Sequence, residues 1–146
     1  MLKIAVVDDE KVYIDQIQEY ISQYSAEKKR EIQTETFCDG SALLENYSPR
    51  FDIILLDIEM GKLNGMETKR EIRKKDQDVV LVFITNMAQY AINGYDVGAL
   101  DYVLKPINYY TFSVRLDRAV SRVKKRQPEE ILLNLPDGIK RLKVDR

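Results

Sequence analysis

Three stretches of this chain are almost unbroken in apolar character: LKIAVV (2–7), FDIILL (51–56) and VVLVFI (79–84). Successive side chains of a strand point to opposite sides, so a strand with one wet face alternates polar and apolar residues. A run without that alternation needs apolar cover on both faces. That is the condition of a central strand in a parallel sheet clothed by helices. Two further runs suit the same sheet. LDYVL (100–104) is short and apolar, and EIQTETFC (31–38) alternates as an edge strand does.

The segments between these runs carry the helical period. Tyr13, Ile17, Tyr20 and Tyr24 fall at i, i+4, i+7 and i+11, and Ile14 and Ile21 widen the stripe. Ala42 to Tyr47 predicts a short second helix. Asn64 is placed to cap a third that ends near Lys74. Ala88 to Tyr95 predicts a weak fourth helix interrupted by Gly94. Phe112, Leu116, Ala119 and Val123 repeat the stripe in a fifth. These stripes read as core packing. Strand and helix thus alternate five times, which implies a doubly wound α/β fold whose five-stranded parallel sheet has the order 2-1-3-4-5. Ligands of such sheets bind beyond the carboxyl ends of the strands, near the switch between strands 1 and 3.

The pattern changes after Arg126. Gln127-Pro128 ends the last helix, and ILLNL, the turn signal Pro136-Asp137-Gly138 and IKRLKV read as a β-hairpin. A hairpin alone is marginal in water. The expectation is a domain over 1–126, a linker at 127–130, and the opening strands of a second, truncated domain at 131–146. Charge divides in the same sense. Residues 1–104 carry 12 Lys/Arg against 19 Asp/Glu, and residues 105–146 carry 11 against 5. The basic run Arg115, Arg118, Arg122, Lys124, Lys125 and Arg126 reads as a solvated helix face leading into the linker, with contact to DNA phosphates or a partner subunit as the alternative.

The chain has no histidine and one cysteine, Cys38. Ser-His-Asp and Cys-His catalysis and His-ligated zinc are therefore excluded. No internal disulfide is possible, which agrees with a reducing cytosol. Cys38 is expected to be a small buried hydrophobe at the end of the edge strand. The stretch MLKIAVVDDE is too short in apolar character for a signal peptide, and no segment approaches the ~20 apolar residues of a membrane span. The expected location is cytoplasmic.

The acids must carry whatever chemistry exists, and they lie at strand ends. Strand 1 runs into Asp8-Asp9, strand 3 into Asp57, strand 4 into Thr85 and strand 5 into Lys105-Pro106. In a doubly wound sheet these ends converge on one rim. Two like charges ~4 Å apart cost about 4 kcal/mol at an effective dielectric of ~20. Clustered carboxylates therefore either take up protons or share a divalent cation. Hard oxygen ligands with room for water suit Mg²⁺. Asp57 beside such a cation is a usable nucleophile toward a phosphoryl group. The cation and Lys105 would neutralise charge on the phosphoryl oxygens, and the Thr85 hydroxyl would donate to one of them.

The set Asp8-Asp9, Asp57, Thr85 and Lys105-Pro106 resembles the receiver domain of two-component response regulators, over about residues 1–126. That resemblance implies the flavodoxin-like receiver fold. It implies that Asp57 is the phosphoacceptor, and that Asp8, Asp9, Asp57 and the main-chain carbonyl of Glu59 hold Mg²⁺. Lys105 would pair with the phosphoryl group, and Thr85 and Tyr102 would form the switch pair. The donor would be a phosphohistidine on a sensor histidine kinase. Such a protein is a switch that catalyses only its own phosphorylation and dephosphorylation. The stretch YDVGALDYVLKPI (95–107), with the hairpin, is similar to regulators that carry a LytTR-type DNA-binding domain. DNA would be bound only through that missing output domain, and not specifically by this chain. A homodimer would form through the face of the fourth helix, fifth strand and fifth helix. No membrane partner is implied. The chain departs from the pattern in three places. Gly61 stands where the family has Pro and frees the loop beyond Asp57. Asn86 replaces a smaller residue and narrows access to Asp57. Glu59 places an acid two residues past the acceptor.

Three other readings compete. A phosphorylation-independent receiver acting as an interaction module would keep the fold without the chemistry. A flavin carrier needs a small-residue phosphate loop after strand 1, where this chain has DDEKV. An aspartyl-phosphate phosphatase needs Asp two residues after the nucleophile, where this chain has Glu59.

Overall fold

The computed structural model describes residues 1–59, 64–86 and 101–123. The strands are β1 (Leu2–Val7), β2 (Ile32–Phe37), β3 (Ile53–Leu56), β4 (Val80–Thr85) and β5 (Asp101–Leu104). All pair in parallel, in the order β2-β1-β3-β4-β5. The helices are α1 (Lys11–Lys28), α2 (Gly40–Leu44), α3 (Gly65–Lys75) and α4 (Tyr109–Val123). The helix expected at 88–95, the loop glycine Gly61, the linker at 127–130 and the hairpin at 131–146 lie outside the described residues.

Burial on both faces explains the unbroken apolar runs. Ile4 and Val6 of β1, Ile53 and Leu55 of β3, and Val82 and Ile84 of β4 enter one core cluster, with Ile17 and Ile21 of α1 and Leu116 of α4. Their neighbours Ala5, Val7, Ile54, Leu56, Leu81 and Phe83 enter a second cluster on the other face, with Leu43 of α2 and Ile72 of α3. Consecutive residues therefore serve opposite cores. β2 lies at the edge, and only Ile32, Thr34 and Phe37 are partly covered. The tyrosine stripe of α1 is core packing in part: Ile17, Ile21 and Tyr24 are buried, while Tyr13, Ile14 and Tyr20 lean on the same cluster half-buried.

Two expectations need correction. The second helix begins two residues early, because the Asp39 side chain accepts the Ala42 amide at 2.8 Å and caps it. It also ends early, and Asn46 turns the chain away at φ 59°. Cys38 is exposed rather than buried. Phe37 turns its ring inward onto Phe51, with centroids 6.0 Å apart, so the next residue faces out. The first helix follows Glu10 at its N-cap, whose side chain makes no capping bond. The third helix begins as expected. Asn64 accepts from the Glu67 amide, and the Glu67 carboxylate accepts from the Asn64 amide, a complete capping box.

The pole opposite the strand carboxyl ends is pinned by buried Asp76, which follows α3. One oxygen accepts from the Tyr47 hydroxyl at 2.9 Å, and the other accepts from the Asp78 and Val79 amides. Arg73 donates to the Asp76 and Val79 carbonyls. No helix among the described residues is long and apolar enough to cross a membrane. Replacing Asp76 by Ala removes the acceptor shared by three donors, two of them buried, and should cost about 2–4 kcal/mol, against about 1 kcal/mol for Tyr47→Phe. Urea unfolding of the two variants measures the difference.

Candidate functional site

The ladder does not stop where the strands do. The Asp8 amide donates to Phe37 O at 3.1 Å, the Asp57 amide to Val7 O at 3.0 Å and the Lys105 amide to Thr85 O at 2.9 Å. Each of these residues is the first beyond its strand, yet each is still fixed by an inter-strand bond. The rim therefore inherits the rigidity of the sheet. Asp8, Asp57 and Lys105 also continue the alternation of Val6, Leu55 and Val103, all of which belong to the core beneath α1 and α4.

Lys105 gathers the charges. Its Nζ donates to Asp8 Oδ2 at 2.8 Å and lies 3.5 Å from Asp57 Oδ2 and 3.9 Å from Glu10 Oε1. The side chains of Lys105, Asp8 and Asp57 are only 3%, 2% and 4% exposed, so these pairs act where water screens little. Burial pulls the Lys105 ammonium down, but Asp8, Asp57 and Glu10 outweigh it and hold the group above the ordinary lysine range. Asp8 divides its work: Oδ2 takes the lysine and Oδ1 accepts the Glu10 amide at 2.9 Å. A local main-chain bond and the ion pair thus fall to different oxygens of one residue.

Asp57 is less well served. Its Oδ1 is buried with no hydrogen-bond partner among the described residues. Burial and then the charge of Asp8 push its carboxyl up to about 6, against the pull of Lys105 and the Glu59 main chain, with Asp9 adding a smaller push. Asp9 and Glu10 stand exposed at the mouth. Carboxylate oxygens of Asp8, Asp9 and Glu10 lie within 4.8 Å of one another. Hard oxygens at this spacing, next to a buried carboxylate oxygen lacking a donor, fit a small divalent cation.

The remaining expected residues are placed as follows. Thr85 is fully buried as the last residue of β4. Tyr102 is half-buried in β5, opposite Phe83, with its ring 5.5 Å from the Phe83 ring. By strand alternation Thr85, Phe83 and Tyr102 share the face that packs toward α3. Glu59 and Asn86 are exposed.

Three residues at the rim carry parts that the sequence did not announce. Glu10 joins the acidic group and faces Lys105. Gly65 donates its amide to Ile58 O at 2.8 Å, and a Cβ there would lie 2.7 Å from Ile58 Cα. Only glycine lets α3 start against the main chain that carries Asp57; its place just after the helix cap was the available signal. Tyr13 sets its ring beneath the Lys105 ammonium, 3.9 Å from Nζ to centroid.

Comparison with known proteins agrees with this geometry. The family described as the response regulator receiver domain matches residues 4–117. The sensory transduction protein LytT of Bacillus cereus is 34% identical over 133 residues, covering 90% of this chain and 50% of LytT. A response regulator receiver domain protein from Clostridium thermocellum has a TM-score of 0.73 at 25% identity, covering 86% of this chain and 98% of that one. The response regulator TrrA of Thermotoga maritima, solved in complex with Mg²⁺-BeF, has a TM-score of 0.71 at 28% identity, covering 82% and 99%. The chain spans about half the length of the curated relatives it matches first.

The raised Asp57 carboxyl makes stability depend on pH in a defined sense. The folded state holds this proton more tightly than the unfolded chain, so the group's contribution is full below the ordinary value of 3.8 and is lost as pH rises through about 6. Asp57→Asn mimics the neutral form. Without divalent cations it should be more stable than the wild type by about 2–3 kcal/mol above neutrality. The gap should close as pH falls toward 3.8. Denaturant titrations in chelator across that range measure it.

Proposed function

The chain belongs to the response regulator receiver domain family, and on that premise we propose that it accepts a phosphoryl group on Asp57 from a phosphohistidine of a sensor histidine kinase, in the presence of Mg²⁺. The observation that carries this is the buried Oδ1 of Asp57, without a donor among the described residues, beside Lys105 and an acidic group at the ends of β1 and β3. A carboxylate so placed is fixed, partly desolvated and facing the mouth of the rim.

Asp8, Asp9, Asp57 and the Glu59 main-chain carbonyl would hold Mg²⁺, whose contribution is to offset negative charge on the carboxylates and on the incoming phosphoryl oxygens. Glu10 stands beside this group and adds negative charge at the mouth. In the transfer, an Asp57 carboxylate oxygen bonds to phosphorus while the P–N bond to the donor imidazole breaks. The electron pair leaves with the imidazole, which then takes a proton. Lys105 exchanges part of its bond with Asp8 for a phosphoryl oxygen, and the Thr85 hydroxyl donates to another. The product places roughly two negative charges where a single carboxylate stood. Thr85 moves toward that charge, and Tyr102 turns inward behind it, since the two share one sheet face. The outcome is a population shift of the surrounding surface rather than a new fold.

Residues 1–126 would be the phosphoacceptor domain, and 131–146 would open a LytTR-type DNA-binding output domain that regulates transcription in the cytoplasm. The surface of β5 and α4 suits a homodimer contact, since Leu104, Tyr110 and Val114 are exposed there by 47%, 77% and 38%. The interaction-module reading gains nothing from the structure, because a receiver without chemistry has no use for two buried carboxylates held by one lysine.

Intact mass after incubation with acetyl phosphate and Mg²⁺ tests the assignment. The wild type should gain one phosphoryl group, and chelator or Asp57→Asn should abolish the gain. Equal labelling of Asp57→Asn would overturn it.

A further inference from the structure

Lys105 is surrounded by three acids and by one group that is not acidic. Below the ammonium lies the face of the Tyr13 ring, at 3.9 Å from Nζ to centroid, the separation of a close cation–π contact. Tyr13 belongs to the α1 stripe, but it is half-buried and sits at the rim end of the helix, apart from the buried Ile17, Ile21 and Tyr24. Farther along the same stripe, the Tyr20 hydroxyl donates to Ile107 O at 3.1 Å, and the Tyr20 ring packs on Tyr109 and Phe112. The stripe therefore grips the segment that bears Lys105 at two points: at the ammonium itself and at the main chain two residues on.

We propose that Tyr13 is a positioning residue for the phosphoryl-transfer site, a seat that keeps the Lys105 ammonium beside Asp57 while its hydrogen bonds are exchanged. The proposal rests on the reading of Asp57 as phosphoacceptor. Its logic is electrostatic. Before transfer, Lys105 donates to Asp8. During transfer it has to redirect a donor to a phosphoryl oxygen. A carboxylate or carbonyl beneath it would compete for that N–H. An aromatic face attracts the positive charge through its quadrupole and has no directed lone pair, so it holds the ammonium without claiming a donor. The side-chain stem of Lys105, itself 3% exposed, cannot retreat into water when Asp8 is otherwise engaged.

The test compares wild type, Tyr13→Phe, Tyr13→Leu and Tyr13→Met for the initial rate of phosphoryl uptake from acetyl phosphate with Mg²⁺, and repeats Tyr13→Leu in a Lys105→Met background. Tyr13→Phe keeps the ring face and should match the wild type. Tyr13→Leu and Tyr13→Met fill similar space without that face and should be slower by about tenfold, the scale of one partly desolvated cation–π contact. In the Lys105→Met background Tyr13→Leu should add nothing further, because the ring acts through the lysine. Should Tyr13→Leu not fold, Tyr13→Met takes its place in both backgrounds. Wild-type rates in Tyr13→Leu and Tyr13→Met, or an equal loss with and without Lys105, would overturn the proposal. A wild type that gains no phosphoryl group would instead overturn the assignment of Asp57.

Discussion

Two carboxylates and one ammonium, all nearly buried, share the rim of this sheet, and their charges do not cancel. Asp8 and Asp57 bring two negative charges to within reach of the single positive charge of Lys105. Losing one member of a buried ionic group costs about 3–5 kcal/mol, because the others stay behind uncompensated. The excess is felt at Asp57, whose carboxyl is pushed up to about 6 chiefly by burial and then by Asp8. A site with surplus negative charge, and an oxygen that finds no donor among the described residues, favours a cation or a proton. That surplus is what a phosphoacceptor needs, since it is relieved only when something binds.

The rest of the architecture keeps that tension from relaxing. Inter-strand bonds continue one residue past β1, β3 and β5, so none of the three charged residues can swing its backbone away. Gly65 lets α3 begin in contact with the chain that leaves Asp57, and the Asn64–Glu67 box fixes where that helix starts. At the opposite pole the Asp76 network anchors the far end of α3 to the entry of β4. Rigid strands and fixed helix ends leave side-chain exchange as the cheapest response to a new charge.

The sheet and its order were readable because burial on two faces writes an unmistakable signature: three six-residue runs with no polar alternation. The positions of Asp8, Asp57 and Thr85 were readable for the same reason, as each follows such a run, and Lys105 follows the shorter run LDYVL. What escaped depends on three-dimensional contact that no run encodes. Glu10 looks like one more acid in DDE until Lys105 approaches it from the far strand. Tyr13 looks like the first rung of a packing stripe, and its ring differs from the others only in what lies above it. Cys38 was misplaced because one residue of alternation past Phe37 decides whether a side chain faces the core or the water. The start of α2 shifted because Asp39 offered a cap that the apolar spacing did not weigh.

The same alternation places the site and the proposed switch residues on opposite faces of the sheet. Asp8, Asp57 and Lys105 follow the parity of Val6, Leu55 and Val103, toward α1 and α4, whereas Thr85 and Tyr102 follow that of Phe83, toward α3. Under the proposed function, a charge arriving at Asp57 would be gripped from the first face by Lys105 and answered from the second by Thr85. Because Thr85 O also accepts the Lys105 amide, the two responses meet on adjacent strands through one hydrogen bond. A parallel sheet can therefore carry a change from one of its faces to the other across its carboxyl edge, with no strand having to move.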